Sequence, residues 1–314
     1  MEQYAENLRK RIAELLEKDV DAFIVFARKK SEPREKITVI ESPDEVEDVT
    51  ISRLSSYNPA ITLMQELNKR DKVGVVVKGC DSKAIKKLMM EDKIDRERVY
   101  IIGVTCDGVA NYRKIVEAVG SDFKIEGDKI VAGDTVLNID DFIYDNCKYC
   151  DAPTPVIYDE LFGEIKTVER DFSDIEEFEK LSREERWEYW MKEMEKCIRC
   201  YACRSACPMC YCTECLVDPV NLAVSPMTKA EEKAMYPRFL GKTVNASDNL
   251  FYHLIRVIHH AGRCADCGEC ERACPMDIPL RKLERKLEKE IIEIFGGIPE
   301  DIPFLAKLDI IPER

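Results

Sequence analysis

Short apolar runs alternate with amphipathic stretches along the first 150 residues. The apolar runs are rich in β-branched residues and predict strands at 22–27, 37–40, 72–78 and 99–104. The amphipathic stretches predict helices at 2–18, 58–69, 82–90 and 109–118. Strands that alternate with helices favour a mostly parallel sheet covered on both faces, so we expect an α/β domain over residues 1–150.

The pattern changes after residue 150. Residues 151–196 are expected to form a connector followed by a helix that begins near Ser173. From residue 197 onward the chain is rich in cysteine, and helical periodicity returns at 249–262 and 280–295. We therefore expect a second, α-helical domain over 197–314.

Eight cysteines form two copies of the pattern C-x2-C-x2-C-x3-C-P, at 197–208 and 264–275. This spacing is typical of [4Fe-4S] clusters, and in two-cluster ferredoxins the fourth cysteine of each run binds the other cluster. The expected ligands of the first cluster are Cys197, Cys200, Cys203 and Cys274. Those of the second cluster are Cys264, Cys267, Cys270 and Cys207. Cys264 follows Cys207 by 57 positions, and this separation favours an α-helical domain that resembles a two-[4Fe-4S] ferredoxin over a compact β-hairpin ferredoxin.

Four more thiols come from the α/β domain. Cys80 and Cys106 each precede an aspartate at the carboxyl end of a predicted strand, where open α/β sheets bind ligands. Cys147 and Cys150 form a C-x2-C pair shortly afterwards. One interpretation is a third cubane cluster bound by all four, and the alternative is that Cys80 and Cys106 are small buried apolar residues. Cys210, Cys212 and Cys215 fit no pattern: they would replace a ligand, bind a further metal or pack near a cluster.

Composition narrows the functional classes. A net charge of −13 disfavours nucleic acid as a partner, because such partners recruit basic surfaces. We expect no membrane span, since no apolar run approaches the ~20 residues that a span needs. The amphipathic N-terminus lacks the apolar segment of a signal peptide. Fifteen cysteines in such a chain indicate metal binding in a reducing cytoplasm, as in an anaerobe.

The α/β half resembles a known family, the beta subunits of deazaflavin-coenzyme-reducing hydrogenases and of related formate dehydrogenases. The resemblance rests on four segments: SYNP at 56–59, KVGVVVKGCDSKAI at 72–85, IIGVTCDGV at 101–109 and C-x2-C at 147–150. It implies FAD, iron–sulfur clusters and hydride exchange with the deazaflavin coenzyme, and it strengthens the third cluster. Asn58, Lys78 and Gly79 are the candidate flavin contacts. The helical half is similar to the small subunits of heterodisulfide reductases.

We expect an iron–sulfur electron-transfer subunit of a larger anaerobic oxidoreductase, of the formate dehydrogenase, hydrogenase or heterodisulfide reductase type. It would relay single electrons between partner subunits, with ferredoxin or the deazaflavin coenzyme as further partners. An alternative is a flavin-bearing subunit, in which FAD exchanges a hydride with a deazaflavin or nicotinamide coenzyme and the clusters take single electrons. A second alternative is a zinc-binding interaction module, which the doubled C-P runs disfavour.

Overall fold

The computed structural model describes residues 2–28, 34–212, 215, 217 and 244–297. Two compact units make up the chain. The first comprises Met1–Asp171 together with Ala265–Cys267, and the second comprises Phe172–Cys264 with Gly268–Arg314. Parts of the predicted helical domain, at 213–243 and after 297, fall largely outside the described residues. The predicted division at residues 150 and 196 stays a prediction.

The first unit contains two sheets. The strands of the larger one are β1 (Ala22–Ala27), β2 (Lys36–Ile40), β3 (Val73–Val77), β4 (Val99–Val104) and β8 (Glu160–Phe162). Their order is β2-β1-β3-β4-β8, and every pair is parallel except β1 with β2. The smaller sheet is antiparallel and contains β5 (Lys124–Glu126), β6 (Lys129–Ala132) and β7 (Thr135–Asn138). The predicted α/β class with a mostly parallel sheet is confirmed, whereas β5, β6, β7 and β8 were not predicted.

The helices of this unit are α1 (Ala5–Lys18), α2 (Ala60–Leu67), α3 (Gly79–Met90), α4 (Tyr112–Val119) and α5 (Asp145–Lys148). One face of α1 carries Leu8, Ile12 and Leu15, which pack against Phe23 and Phe26 of β1 in the main core. Burial of these side chains contributes about 1.5–3 kcal/mol each. This packing holds α1 against the larger sheet. Because β3 and β4 are parallel, their carboxyl ends lie at the same edge of that sheet.

The second unit is helical. Its helices are α6 (Ser173–Glu179), α7 (Arg183–Glu195), α8 (Ala202–Ser205), α9 (Ala246–His259), α10 (Glu269–Arg272) and α11 (Leu280–Phe295). The predicted single helix after Ser173 is two helices, because Ser182 starts a new one with a capping box to Glu185. Gly296 ends α11 in the left-handed conformation, at φ +74°.

Helix α9 packs against α7 and α11, and the short helices α8 and α10 pack against each other. The apolar core of this unit includes Met194, Leu250 and Ile278 together with Cys197 and Cys203. Across the described residues, no helix combines the length and the apolar character needed to cross a bilayer. Of the first run, Cys197 and Cys203 are part of the packed interior of the unit, whereas Cys200 is exposed.

Candidate metal centres

The two cysteine runs repeat the same backbone conformation. The residue before the second cysteine is left-handed in both runs, Arg199 at φ +49° and Asp266 at φ +50°. The residue after it is left-handed as well, Tyr201 at φ +62° and Gly268 at φ +74°. Side chains other than glycine seldom adopt this conformation, and such residues cluster at functional sites. Alternating backbone conformations of this kind make a loop whose N–H groups point inward toward an anion.

The first predicted ligand set is brought together. Cys197, Cys200, Cys203 and Cys274 line one recess of about 350 Å³ that opens to solvent, together with Tyr252 and His253. The N–H of Arg199 donates to Cys197 Sγ at 3.4 Å, as an inward-pointing loop requires. The crossed ligand pattern predicted from the spacing is therefore present in the geometry: three cysteines of one run and the last cysteine of the other share one recess.

Helix α9 presents a buried polar face to the cysteines. Asn249, His253, Arg256 and His260 are spaced four, three and four residues apart, and each is at most 4% exposed. The Asn249 side-chain amide donates to the carbonyls of Met194 and Cys197, at 2.9 Å each. The sequence indicated an apolar helix here and gave these polar residues no defined role. Their common helical spacing was the signal that could have identified them.

Two of these residues contact cluster cysteines of the first set. His253 Nε2 lies 3.5 Å from Cys197 Sγ, and burial lowers the pKa of His253 to about 3, so its imidazole is neutral. Arg256 Nη1 donates to Cys203 Sγ at 3.6 Å. Burial lowers the pKa of Arg256, but the nearby thiolates of Cys203, Cys210, Cys207 and Cys270 outweigh it and raise the pKa well above its usual value. A buried cation thus lies among sulfurs from both runs.

Three buried polar atoms near the cysteines of the first set indicate whether an iron–sulfur cluster fits between them. Tyr252 Oη, His253 Nδ1 and Arg256 Nε are buried and find no hydrogen-bond partner among the described residues. An unsatisfied buried polar group costs about 1–3 kcal/mol. Tyr252 and His253 line the recess of the four cysteines, and cluster sulfides accept hydrogen bonds of this kind. The residues present therefore fit a [4Fe-4S] group bound by the first set.

A second thiol group includes a residue for which the sequence gave no assignment. Cys207 Sγ, Cys210 Sγ and His260 Nε2 lie within 4.8 Å of one another. Hydrogen bonds from Cys207 and His260 lower the pKa of Cys210, which favours the thiolate that binds metals. The pKa of His260 is lowered by burial but raised more by the Glu284 carboxylate and Cys210. The grouping of Cys207 with Cys264, Cys267 and Cys270 stays a prediction.

The four thiols of the first unit also interact. Cys80 begins α3, Cys106 follows β4, and Cys147 and Cys150 lie in and just after α5. Burial, together with the charge of Cys147, raises the pKa of Cys106 to about 12 and that of Cys150 to about 11. The pKa of Cys80 is raised by burial, by Asp81 and by Cys150. Cys147 Sγ accepts from the N–H of Val109, three residues after Cys106, at 3.4 Å, and Gly79, next to Cys80, lies against Ala152, two residues after Cys150. The four thiols therefore lie in one region at the sheet edge.

Gly79 allows the segment after Cys150 to approach the sheet. A Cβ added at Gly79 would lie 1.6 Å from the carbonyl oxygen of Ala152. Asp151 is held by ion pairs with Lys83 of α3 and with Arg170, at 2.8 and 2.7 Å. Burial raises the pKa of Asp151, but these two cations outweigh it and lower it to about 2. The predicted role of Gly79 in a flavin site stays a prediction, while its packing role is evident.

The other two candidate flavin contacts are buried. Lys78 Nζ forms an ion pair with Asp81 at 2.7 Å, donates to the Tyr57 carbonyl and lies over the Phe26 ring. Asn58 Oδ1 accepts from the N–H of Ala60 at the start of α2. Asn58 Nδ2 is buried without a hydrogen-bond partner among the described residues. Their contact with a flavin stays a prediction, and the charge of Lys78 acts on Cys80 and Cys106.

The four cysteines that line one recess, and the repeated loop around them, identify this chain as an iron–sulfur redox protein. A family model that describes the C terminus of the beta subunit in coenzyme F420 hydrogenase/dehydrogenase matches residues 70–211. A second model, described as a 4Fe-4S dicluster domain, matches residues 193–278. The predicted resemblance is confirmed: residues 70–211 match the beta-subunit model and residues 193–278 match the dicluster model.

Individual relatives match shorter parts. The chain is similar to the F420-dependent formate dehydrogenase subunit beta of Methanocaldococcus jannaschii, with 33% identity over 96 residues. That match covers 31% of this chain and 21% of the relative. Among solved structures, it is similar to a chain of the F420-reducing [NiFe] hydrogenase complex from Methanosarcina barkeri. The identity is 19% and the TM-score 0.35, over 46% of this chain and 58% of that one. The chain thus covers about a fifth of the curated relative.

Proposed function

We propose that this protein is an iron–sulfur electron-transfer subunit of a multi-subunit oxidoreductase that relays single electrons between partner subunits. The observation that carries the proposal is the recess in which Cys197, Cys200, Cys203 and Cys274 meet the buried polar face of α9. The clusters, when bound, would take up and release one electron at a time. Formate dehydrogenases and hydrogenases are the assemblies that the matched family description suggests.

The chain's own residues would hold and tune these groups. The left-handed loop at Arg199 and Tyr201 turns backbone N–H groups toward the sulfurs, which offsets their negative charge. Arg256 adds a full positive charge in a buried position beside Cys203. Hydrogen bonds and charges around the sulfurs set the potential of a cluster, and exclusion of water strengthens both effects. The polar face of α9 would therefore stabilise the reduced state of the relay.

We propose that the thiols of the first unit hold a third [4Fe-4S] cluster, with Cys80, Cys106, Cys147 and Cys150 as ligands. The electrostatic coupling of these thiols supports the proposal, and so does the buried cation of Lys78 beside Cys80 and Cys106. A bound cluster is an anion in a buried position, and a cation held by Asp81 and the Tyr57 carbonyl would compensate part of its charge. The first unit would then be one end of the relay.

A flavin-bearing subunit is the second candidate, favoured by the family match and by the unsatisfied amide of Asn58. FAD would supply exchange of a hydride with a deazaflavin or nicotinamide coenzyme. The partners proposed for this chain are redox subunits, with ferredoxin or the deazaflavin coenzyme as further ones. The reducing cytoplasm stays the proposed compartment, on the basis of fifteen cysteines.

Anaerobic purification of the native complex tests these proposals. Iron, acid-labile sulfide, zinc and flavin would be quantified per chain. About eight irons would support the two relay clusters, and about twelve would support the third as well. Zinc with little iron or sulfide would contradict the electron-transfer proposal. Flavin released when the clusters are removed would support the second candidate, and a spectrum with no flavin component would reject it.

The third cluster has a sharper test. Replacing Cys80 and Cys147 together by alanine should lower the iron content by about four per chain, because two of four ligands are lost. Replacing exposed Cys212 is the control and should leave iron unchanged. An unchanged iron content in the Cys80, Cys147 double variant would remove these residues from the ligand set.

A further inference from the structure

Cys210 belongs to a group of three side chains whose sulfur and nitrogen atoms could bind a metal. Its Sγ is 3.1 Å from His260 Nε2, and Cys207 Sγ is 4.0 Å from the same nitrogen. In the part of the chain that the structure describes, this is the one group of three histidine, cysteine or acidic donor atoms that all lie within 4.8 Å of each other. These donors come from the end of the first cysteine run and from the end of α9.

The spacing puts the three donors within reach of a single metal atom. Donors to one tetrahedral metal, with sulfur at 2.3 Å and nitrogen at 2.0–2.1 Å, stand about 3.6 Å apart. The two observed sulfur–nitrogen distances, 3.1 and 4.0 Å, lie on either side of this value. In a cubane cluster each cysteine binds a different iron, so cysteines on different irons of one cluster stand farther apart than this. Each of the three donors can therefore reach the same iron.

Glu284 orients the histidine for this role. The carboxylate of Glu284 accepts a hydrogen bond from His260 Nδ1 at 2.8 Å, and both side chains are almost fully buried. The arrangement leaves Nε2 facing the two sulfurs. Metal-bound histidines usually donate their other N–H to a carboxylate or a carbonyl in this way, which fixes the ring.

The group lies beside the second cysteine run within the helical unit. The N–H of Cys264 donates to the His260 carbonyl at 3.0 Å, and His260, Glu284 and Cys264 line one recess. Helix α8, which ends at Ser205, packs against α10, which carries Cys270. The metal atom that these donors address is therefore next to the second run.

We propose that Cys207, Cys210 and His260 form a shared donor set for one iron of the second cluster, in which Cys210 takes the place of Cys207 when that thiolate is lost. The inference rests on the proposed function, since it requires the cluster. An iron of a cubane carries three sulfides and accepts one further ligand, so only one of the three donors is needed at a time. Cys274, at the equivalent position of the other run, belongs to no such three-donor group within the described ranges.

The second cluster should consequently tolerate the loss of Cys207, whereas the first cluster should not tolerate the loss of Cys274. The experiment uses the full chain, purified anaerobically, with alanine variants because a serine oxygen can itself bind iron. The variants are C207A, C210A, C274A, C207A/C212A, C210A/H260A and C207A/C210A/H260A. The readouts are iron, sulfide and zinc per chain with the electron paramagnetic resonance of the reduced protein. C274A should lose one reduced cluster signal and between about one and four irons. C207A, C207A/C212A and C210A/H260A each keep one donor or more and should keep the wild-type iron and signals, whereas C207A/C210A/H260A should lose as much as C274A.

Three results would overturn the proposal. C207A could lose as much iron as C274A, or C207A/C210A/H260A could keep the wild-type content. The third is one zinc per wild-type chain that C210A removes, which would assign these donors to a separate mononuclear ion. A wild-type chain with fewer than about eight irons would contradict the proposed function itself, before any variant is compared.

Discussion

His253 and His260 lie two helical turns apart on one buried face of α9, and each directs Nε2 to a cysteine sulfur. His253 lies 3.5 Å from Cys197 Sγ, and His260 lies 3.1 Å from Cys210 Sγ. Cys197 begins the first run, and Cys210 lies three residues after Cys207, the last cysteine of the run, whose Sγ is 4.0 Å from the same His260 nitrogen. A single rigid helix thus aligns imidazole nitrogens with sulfurs at both ends of that run, and Arg256 lies between them.

Replacing His253 by phenylalanine should lower the reduction potential of the first cluster. The ring is kept, but the contact with Cys197 Sγ is lost, and a hydrogen bond of this kind is worth about 1 kcal/mol, or roughly 40 mV for one electron. A potentiometric titration followed by electron paramagnetic resonance would measure the shift. The same replacement at exposed His259 is the control and should leave both potentials in place. An equal shift in the two variants would argue against a specific role for His253.

Arg256→Gln should lower the potentials of both relay clusters, because a buried positive charge that stabilises the reduced state is removed. At an effective dielectric constant of 20, a charge ~8 Å away contributes on the order of 2 kcal/mol, or about 90 mV. Arg256→Lys keeps the charge and should restore most of the potential. If the lysine variant is shifted as far as the glutamine variant, the effect comes from packing and not from charge.

Gly79→Ala should prevent the segment after Cys150 from docking, because the new Cβ would overlap the backbone of Ala152. We expect loss of the iron assigned to the first unit, about four per chain, with the relay clusters unchanged. Gly103→Ala is the matched control: its Cβ would meet Pro155 side-chain atoms at 3.0 Å, a contact that small shifts can relieve. Iron analysis of both variants is the measurement, and equal iron contents would contradict the packing role of Gly79.

Glu160→Gln should destabilise the first unit in a pH-dependent manner. Hydrogen bonds from Arg11 and Tyr100 lower the pKa of Glu160 below its usual 4.5, although burial opposes them. A carboxylate with a lowered folded-state pKa stabilises the fold fully above pH 4.5, and this contribution disappears as the pH falls through the lowered value. At pH 7 we expect a loss of no more than about 1 kcal/mol, because the pair is partly exposed.

The measurement is the difference in melting temperature between wild type and Glu160→Gln, taken at several pH values from 7 to 3. The difference should be about 1–3 °C at pH 7 and approach zero at the acid end. Glu14→Gln, which removes an exposed partner of Arg11, should change little at any pH. A difference that grows on acidification would have the wrong sign for this carboxylate.

The pattern of apolar and polar residues along the chain was sufficient to predict much of the secondary structure of the first unit. The strand predicted at 22–27 coincides with β1, and the helix at 82–90 falls within α3. The short run at 22–27 is rich in β-branched and aromatic residues, and its length and composition favour a strand over a helix with little tertiary information. Strand β8 was not predicted, because its three residues gain their extended conformation from pairing with β4.

The buried faces of the helical unit could not be predicted in the same way. The sequence of α11 places apolar residues at 283, 287 and 294 along the helix, yet Ile294 is 67% exposed. Its most buried positions include Arg281, Glu284 and Arg285, which pair with Asp174 and His260. Burial of charge is favourable only where partners from other helices are in place, and a hydrophobicity pattern contains no information about those partners.

The sequence by itself determined the iron–sulfur chemistry, because cysteine spacing within each run is a local property that a short loop conveys directly. It also predicted the four cysteines that line one recess, since the repeat of the runs pairs them. Only the tertiary structure decided that His253, Arg256 and His260 face cysteine sulfurs, and that Cys210 joins Cys207. The contacts of His253, Arg256 and His260 join positions more than 45 apart in the chain, and the packing of α9 against the other helices sets them.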